Sequence, residues 1–282
     1  MHTIPISHAP TRDMHKDDPL DDFSSREITL EGVTRKVYLT GSGPAVIVMH
    51  EIPGISPHVA RFARWVREAG FTVYMPSFFG RDGAVPQVQA GAEAFQRLCV
   101  SAEFRAMAAN QTSPATLWLR ALAQLAHEAC GGPGVGAIGM CFSGNFALTM
   151  MLEPSMLAPV LCQPALPFNE PGALEIAPDD LAAVAARLKA EQLTVMAYRF
   201  KGDKLCTSQR FAAYAQALGD NFKEHVLEDS AANQDVPPFY DKHVPFAHSV
   251  VTAHLIDEAG QPTLAARDEI LAFFALRLRT QV

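Results

Sequence analysis

Short, wholly apolar runs alternate along this chain with longer stretches of helical period. Residues 45–49 (Ala-Val-Ile-Val-Met) carry no polar position, the pattern of a strand covered on both faces. Residues 57–69 set Val59, Phe62, Ala63 and Val66 at helical spacing and close on Gly70, which predicts a helix. A strand over 71–75 then stops at Pro76, and upstream 26–31 and 34–40 read as a hairpin turning near Gly32 and Val33. Alanine-rich stretches predict helices over 91–109 and 114–129, followed by an apolar strand ending near Met140 and a further helix. Strands over 158–162, 193–198 and 223–227 are separated by helices near 179–190 and 207–218, and a last helix covers 261–279. This alternation predicts an α/β fold, a mostly parallel sheet with helices on both faces. Residues 229–260 break the rhythm: they contain prolines, show no clear period, and are long enough for a functional loop.

Composition narrows the class. Of 282 residues, 49% are apolar and 19% charged, enough for a large core. With no repeat or low-complexity linker, residues 26–282 read as a single domain and the polar residues 1–25 as a flexible or loosely docked extension. The balance of 23 basic against 30 acidic residues, without a basic stripe, argues against a nucleic-acid partner. No stretch approaches the roughly 18 apolar residues of a membrane helix, so no membrane partner is expected either. Five cysteines without a CxxC pair suggest neither a disulfide framework nor zinc. Together with the absence of a signal-like N-terminus, they point to a reducing, cytoplasmic setting. His2, His8 and His15 in the extension fit no metal-site spacing.

The chemistry is concentrated at Gly139-Met140-Cys141-Phe142-Ser143-Gly144, where a buried strand runs into a turn built from small residues. That is the form of a nucleophile elbow with a thiol at its apex. An acid and a histidine must follow for Cys141 to act as a covalent catalyst. Asp203 ends a predicted strand in Gly202-Asp203, and His248 follows in Ala247-His248-Ser249, in the order Cys, Asp, His. His248 would take the thiol proton while Asp203 fixes its tautomer. His243 and His254 flank His248 as competitors, His225 falls within a predicted strand, and Asp229 is a reserve acid. Ser143, two residues into the turn, reads as a packing residue rather than the nucleophile.

These motifs, with Met49-His50-Glu51-Ile52-Pro53-Gly54 after the first apolar strand, resemble the dienelactone hydrolase family over about residues 26–279. The resemblance implies an α/β-hydrolase fold and a Cys141–Asp203–His248 triad, with no metal or organic cofactor. It also implies that the Glu51 carboxylate holds the resting thiol and yields when substrate enters. A carboxylate beside a thiol disfavours the thiolate, which would protect the nucleophile until then. Ile52 and Phe142 hold the positions whose backbone N–H groups form the oxyanion hole. Arg81 matches the family arginine near the glutamate and a substrate carboxylate. The chain departs from the family at Thr252, where a second arginine is expected, and at Ser143, where a glycine is expected. Losing an arginine removes a two-pronged carboxylate grip. A longer insertion around 229–246, with Phe239, Tyr240 and Phe246, reshapes or covers the pocket.

The sequence therefore reads as a monomeric or homodimeric hydrolase whose partner is a small-molecule ester or lactone, cleaved through an acyl-cysteine. Rival readings on the same scaffold are a non-catalytic small-molecule binder, and a thioesterase or carbon–carbon hydrolase.

Overall fold

The computed structural model describes residues 12–104 and 107–279. Strands β1 (Ser24–Leu30), β2 (Val33–Gly41), β3 (Ala45–Met49), β4 (Thr72–Pro76), β5 (Val135–Met140), β6 (Met156–Cys162), β7 (Val195–Phe200) and β8 (Phe222–Leu227) form one sheet. Their spatial order is β1-β2-β4-β3-β5-β6-β7-β8. β2 runs antiparallel to both β1 and β4, and every later neighbour pair is parallel. The helices are α1 (Pro57–Glu68), α2 (Val88–Val100), α3 (Ala115–Cys130), α4 (Phe146–Thr149), α5 (Pro178–Ala190), α6 (Ser208–Leu218), α7 (Pro238–His243) and α8 (Pro262–Leu278).

The unbroken apolar runs are explained by a core on each side of the sheet. Along β3, Ala45, Ile47 and Met49 face a core built with Trp118 and Leu119 of α3, Val184 of α5 and Phe211 of α6. Val46 and Val48 face the opposite core, with Phe62 of α1 and Phe274 of α8. Side chains alternate along a strand, so a strand covered twice has no position left for a polar residue. Helix α1 starts where the sequence places it, with Pro57 in its first turn and the Ser56 hydroxyl accepting the Val59 N–H at 3.3 Å.

Three segments differ from the sequence expectation. The helix expected over 91–109 runs instead from Val88 to Val100. Phe104 leaves the helical pattern to pack against Phe78, Phe142 and Phe146. Within the irregular 229–260 stretch a short helix, α7, begins on a proline and buries Phe239 and Tyr240. Its Phe239 ring lies so close to α2 that a Cβ on Gly91 would come within 2.0 Å of it.

The third difference is at the N-terminus. Residues 1–11, including His2 and His8, lie outside the described residues, and from Arg12 onward the segment is pinned rather than loose. Asp18 is buried and accepts hydrogen bonds from both terminal guanidinium nitrogens of Arg64, at 2.6 and 2.9 Å. Asp22 receives Arg64 at 2.7 Å and Arg67 at 2.7 Å. Burial works against the Asp22 charge, but the hydrogen bonds from Arg64 and Arg67 outweigh it and hold its carboxyl well below the ordinary range. That contribution to stability is complete above pH ~4 and is lost as the pH falls, because the unfolded chain takes up the proton before the folded one does. Arg64→Ala leaves the buried Asp18 with only the longer contact to Arg12, at 3.3 Å, so a loss of about 3 kcal/mol is expected. Urea unfolding at neutral pH checks the size, and limited proteolysis before Ser24 checks that the segment is freed.

Candidate active site

Cys141, Asp203, His248 and Glu51 follow the carboxyl ends of β5, β7, β8 and β3. Cys141 follows β5 with φ of 56°, a left-handed backbone that non-glycine residues seldom adopt. The close turn depends on its glycine neighbours. A Cβ on Gly139 would lie 2.0 Å from the Ser143 carbonyl oxygen, and one on Gly144 would lie 2.5 Å from Pro164 Cα. After Cys141 the chain makes a single 3-10 turn and then the four-residue α4, not one long helix. Ser143 is fully buried, its hydroxyl accepting the Met140 N–H at 2.9 Å and facing the Met49 and His50 carbonyls at 3.2 and 3.0 Å. It ties the elbow to the end of β3 and is closed to a substrate.

Asp203 and His248 meet in the interior. His248 Nδ1 donates to Asp203 Oδ2 at 2.7 Å, while Asp203 Oδ1 accepts the backbone N–H groups of Leu205 and Cys206 at 2.8 and 2.9 Å. Asp229, the reserve acid, is engaged elsewhere: it accepts the Gly202 N–H at 2.8 Å and so fixes the turn that carries Asp203. Burial lowers the proton affinity of His248, but the charge of Asp203 and the nearby Cys141 outweigh it and raise that affinity well above the ordinary value. His248 Nε2 is buried with no well-formed hydrogen bond among the described residues. It is the atom available to exchange a proton with the Cys141 thiol; such contacts often tighten only once substrate is bound.

The competing histidines are otherwise engaged. His254 accepts the Ser249 N–H at 3.1 Å through Nδ1, and burial lowers its pKa to about 3, so it stays neutral. His243 is exposed and bonds the Val88 carbonyl at 3.1 Å. His225 stacks on Tyr198 at 4.5 Å. His50 is also neutral, since burial lowers its pKa to about 4. Its Nδ1 donates to the Glu51 carbonyl at 2.8 Å and its Nε2 accepts the Phe78 N–H at 3.0 Å, which fixes the backbone at Glu51.

Glu51 is 2% exposed and its carboxylate is surrounded by neutral donors. Tyr240 donates to Oε1 at 2.9 Å, with Thr252 on the same oxygen; Ser249 donates to Oε2 at 2.7 Å, and Gln163 Nε2 lies at 3.4 Å. The sequence marked Thr252 as a departure and Tyr240 as part of an insertion. The parts played by Ser249 and Gln163 were missed, and the only available signals were a hydroxyl beside His248 and a polar residue at the end of an apolar strand. Arg81 lies elsewhere: its side chain is 73% exposed and pairs with Asp17 at 2.6 Å. Ile52 lines the cavity described next, and Phe142 is the first residue after Cys141.

A cavity of about 370 Å³ opens above Cys141 and His248. Gly91, Ala92 and Phe95 of α2 form one wall, and Phe239 and Tyr240 of α7 form another. Among the described residues no group of three His, Cys, Asp or Glu side chains is arranged to hold a metal ion. No described helix is long and apolar enough to cross a membrane.

A mostly parallel eight-stranded sheet with an elbow after β5, an acid after β7 and a histidine after β8 defines an α/β-hydrolase fold. Residues 34–171 match the model of the dienelactone hydrolase family, and that match supports a hydrolase. Similar solved structures agree on the fold. One is a dienelactone hydrolase-like promiscuous phosphotriesterase from metagenomic libraries, 18% identical over 91% of this chain and 99% of that one, with a TM-score of 0.58. A second is a dienelactone hydrolase from Klebsiella pneumoniae, described as putative, 14% identical over 89% and 98%, with a TM-score of 0.54. A third is an esterase of Pyrococcus furiosus, 14% identical over 95% and 98%, with a TM-score of 0.57. No match was found among curated proteins.

Proposed function

We propose that this protein hydrolyses a carboxylic ester, lactone or thioester through an acyl-cysteine formed on Cys141. The observation that carries the reading is the buried Asp203–His248 pair beside a thiol held on a left-handed turn that lines a cavity. A purely packing role would require neither the 2.7 Å carboxylate–imidazole contact nor the unpaired Nε2 beside a cysteine.

In the first half-reaction Cys141 Sγ bonds to the carbonyl carbon as its proton passes to His248 Nε2. The positive imidazolium is stabilised by Asp203. The negative oxygen of the tetrahedral intermediate is received by the backbone N–H groups of Ile52 and Phe142. When the carbon–oxygen bond breaks, the leaving alkoxide takes the proton from His248 and a thioester remains. In the second half, water adds to the thioester, its proton passes to His248, and the returning thiolate recovers it as the acid product leaves. A thiolate leaves readily from the tetrahedral intermediate, which suits activated esters, lactones and thioesters better than amides.

Steady-state hydrolysis of p-nitrophenyl acetate tests the reading. Wild type is expected to turn over many equivalents per active site, and His248→Ala to lose the activity. Stoichiometric binding of uncleaved ester by wild type would replace the hydrolase with a binder of small molecules.

A further inference from the structure

We infer that the cavity selects uncharged, apolar substrates and rejects those whose acyl chain carries a free carboxylate. The inference rests on the esterase reading above and narrows it to a substrate class.

Three observations lead there. First, the walls are apolar and aromatic: Phe95 of α2 packs against Phe168 with tilted rings 5.1 Å apart, and Phe239 and Val244 also line the cavity. Second, no lysine or arginine among the described residues lines the cavity. Arg81 points to solvent and is paired with Asp17, and the Lys204 ammonium lies over the Phe246 ring at 5.6 Å. His248 is already paired with Asp203, and His243 is an exposed group at the rim. Third, the cavity contains a carboxylate of its own. All four hydrogen-bond partners of Glu51 are neutral donors, none of them a lysine or arginine.

The electrostatics follow directly. A second carboxylate brought within about 5 Å of Glu51 is repelled, and at an effective dielectric near 20 that repulsion amounts to roughly a hundredfold in binding. Among the described residues no lysine or arginine in the cavity offsets the lost hydration of the incoming anion, and His248 is already paired with Asp203. An uncharged alkyl or aryl group incurs neither penalty and gains from burying its apolar surface against the phenylalanine walls.

A matched pair of substrates tests this. The p-nitrophenyl ester of monomethyl adipate is neutral, whereas that of adipic acid carries a free carboxylate on the same chain. At pH 8, kcat/KM for the neutral ester is expected to exceed that for the anion by roughly a hundredfold. Phe95→Arg places a cation at the cavity wall, at a position already 45% exposed, and is expected to narrow the gap at least tenfold. Equal rates for the two esters, or preference for the anion, would overturn the inference. The corresponding uncleaved p-nitroanilides, titrated calorimetrically into wild type, separate the two levels of the argument. Tighter binding of the neutral anilide without turnover of either ester would uphold the selectivity and remove the esterase reading. Equal affinity for the two anilides would remove the selectivity whatever the esters do.

Discussion

Replacing Cys141 with alanine is expected to lower ester turnover at least a thousandfold while the protein unfolds at an unchanged denaturant midpoint. The size follows from the chemistry: without the sulfur there is no acyl-enzyme, and His248 can only assist water in a cavity shaped for a different attacking atom. The fold is expected to tolerate the change because Cys141 already occupies a left-handed backbone set by Gly139, Gly144 and the Ser143 hydroxyl, and alanine keeps the Cβ that this backbone accommodates. Turnover with p-nitrophenyl acetate and a urea titration, run on the same preparation, check both parts. Retained turnover would move the nucleophile away from the elbow.

Asp203→Asn is expected to be nearly as severe, lowering kcat/KM by about a thousandfold. Asparagine preserves the size of the side chain and can still accept the Leu205 and Cys206 N–H groups, so the turn after β7 should survive. The charge that raises the proton affinity of His248 is lost. Burial, which favours the neutral ring, is then no longer outweighed, and the imidazolium that accompanies a Cys141 thiolate becomes less stable. The sign is therefore fixed: the pH midpoint for alkylation of Cys141 by iodoacetamide should move upward in the variant. A midpoint that stays in place would show that Asp203 orients the ring without influencing its charge.

The alternating architecture was legible because β3 to β7 are buried on both sides, so their sequences carry almost no polar positions. The elbow was legible because a sharp turn against Pro164 and the Ser143 carbonyl demands glycine at 139 and 144. Other features depend on contacts between distant parts of the chain. Tyr240 reaches Glu51 across 189 residues from a helix of six, too short to establish a period. Asp18 and Asp22 looked like solvated charges because their partners Arg64 and Arg67 belong to α1, more than 40 residues away. Arg81 was matched by local motif alone, and Asp17 of that same pinned segment draws it outward.

The order of Cys141, Asp203 and His248 along the chain marks them as candidates, and the 2.7 Å contact between His248 and Asp203 underlies the roles proposed for them. Asp229 fixes the Gly202 turn, His254 holds the Ser249 amide and His50 holds the Glu51 carbonyl. These groups border the site and keep the reacting ones in place.

The most direct test of the central claim is rapid-quench mass spectrometry after mixing wild type with p-nitrophenyl acetate. Acid quenching preserves a thioester, and peptide mapping then locates it. One acetyl group on the peptide containing Cys141, formed and lost at rates compatible with turnover, is the expected result. Turnover with no acetylated protein at any time, or with the acetyl group on another residue, would contradict the account.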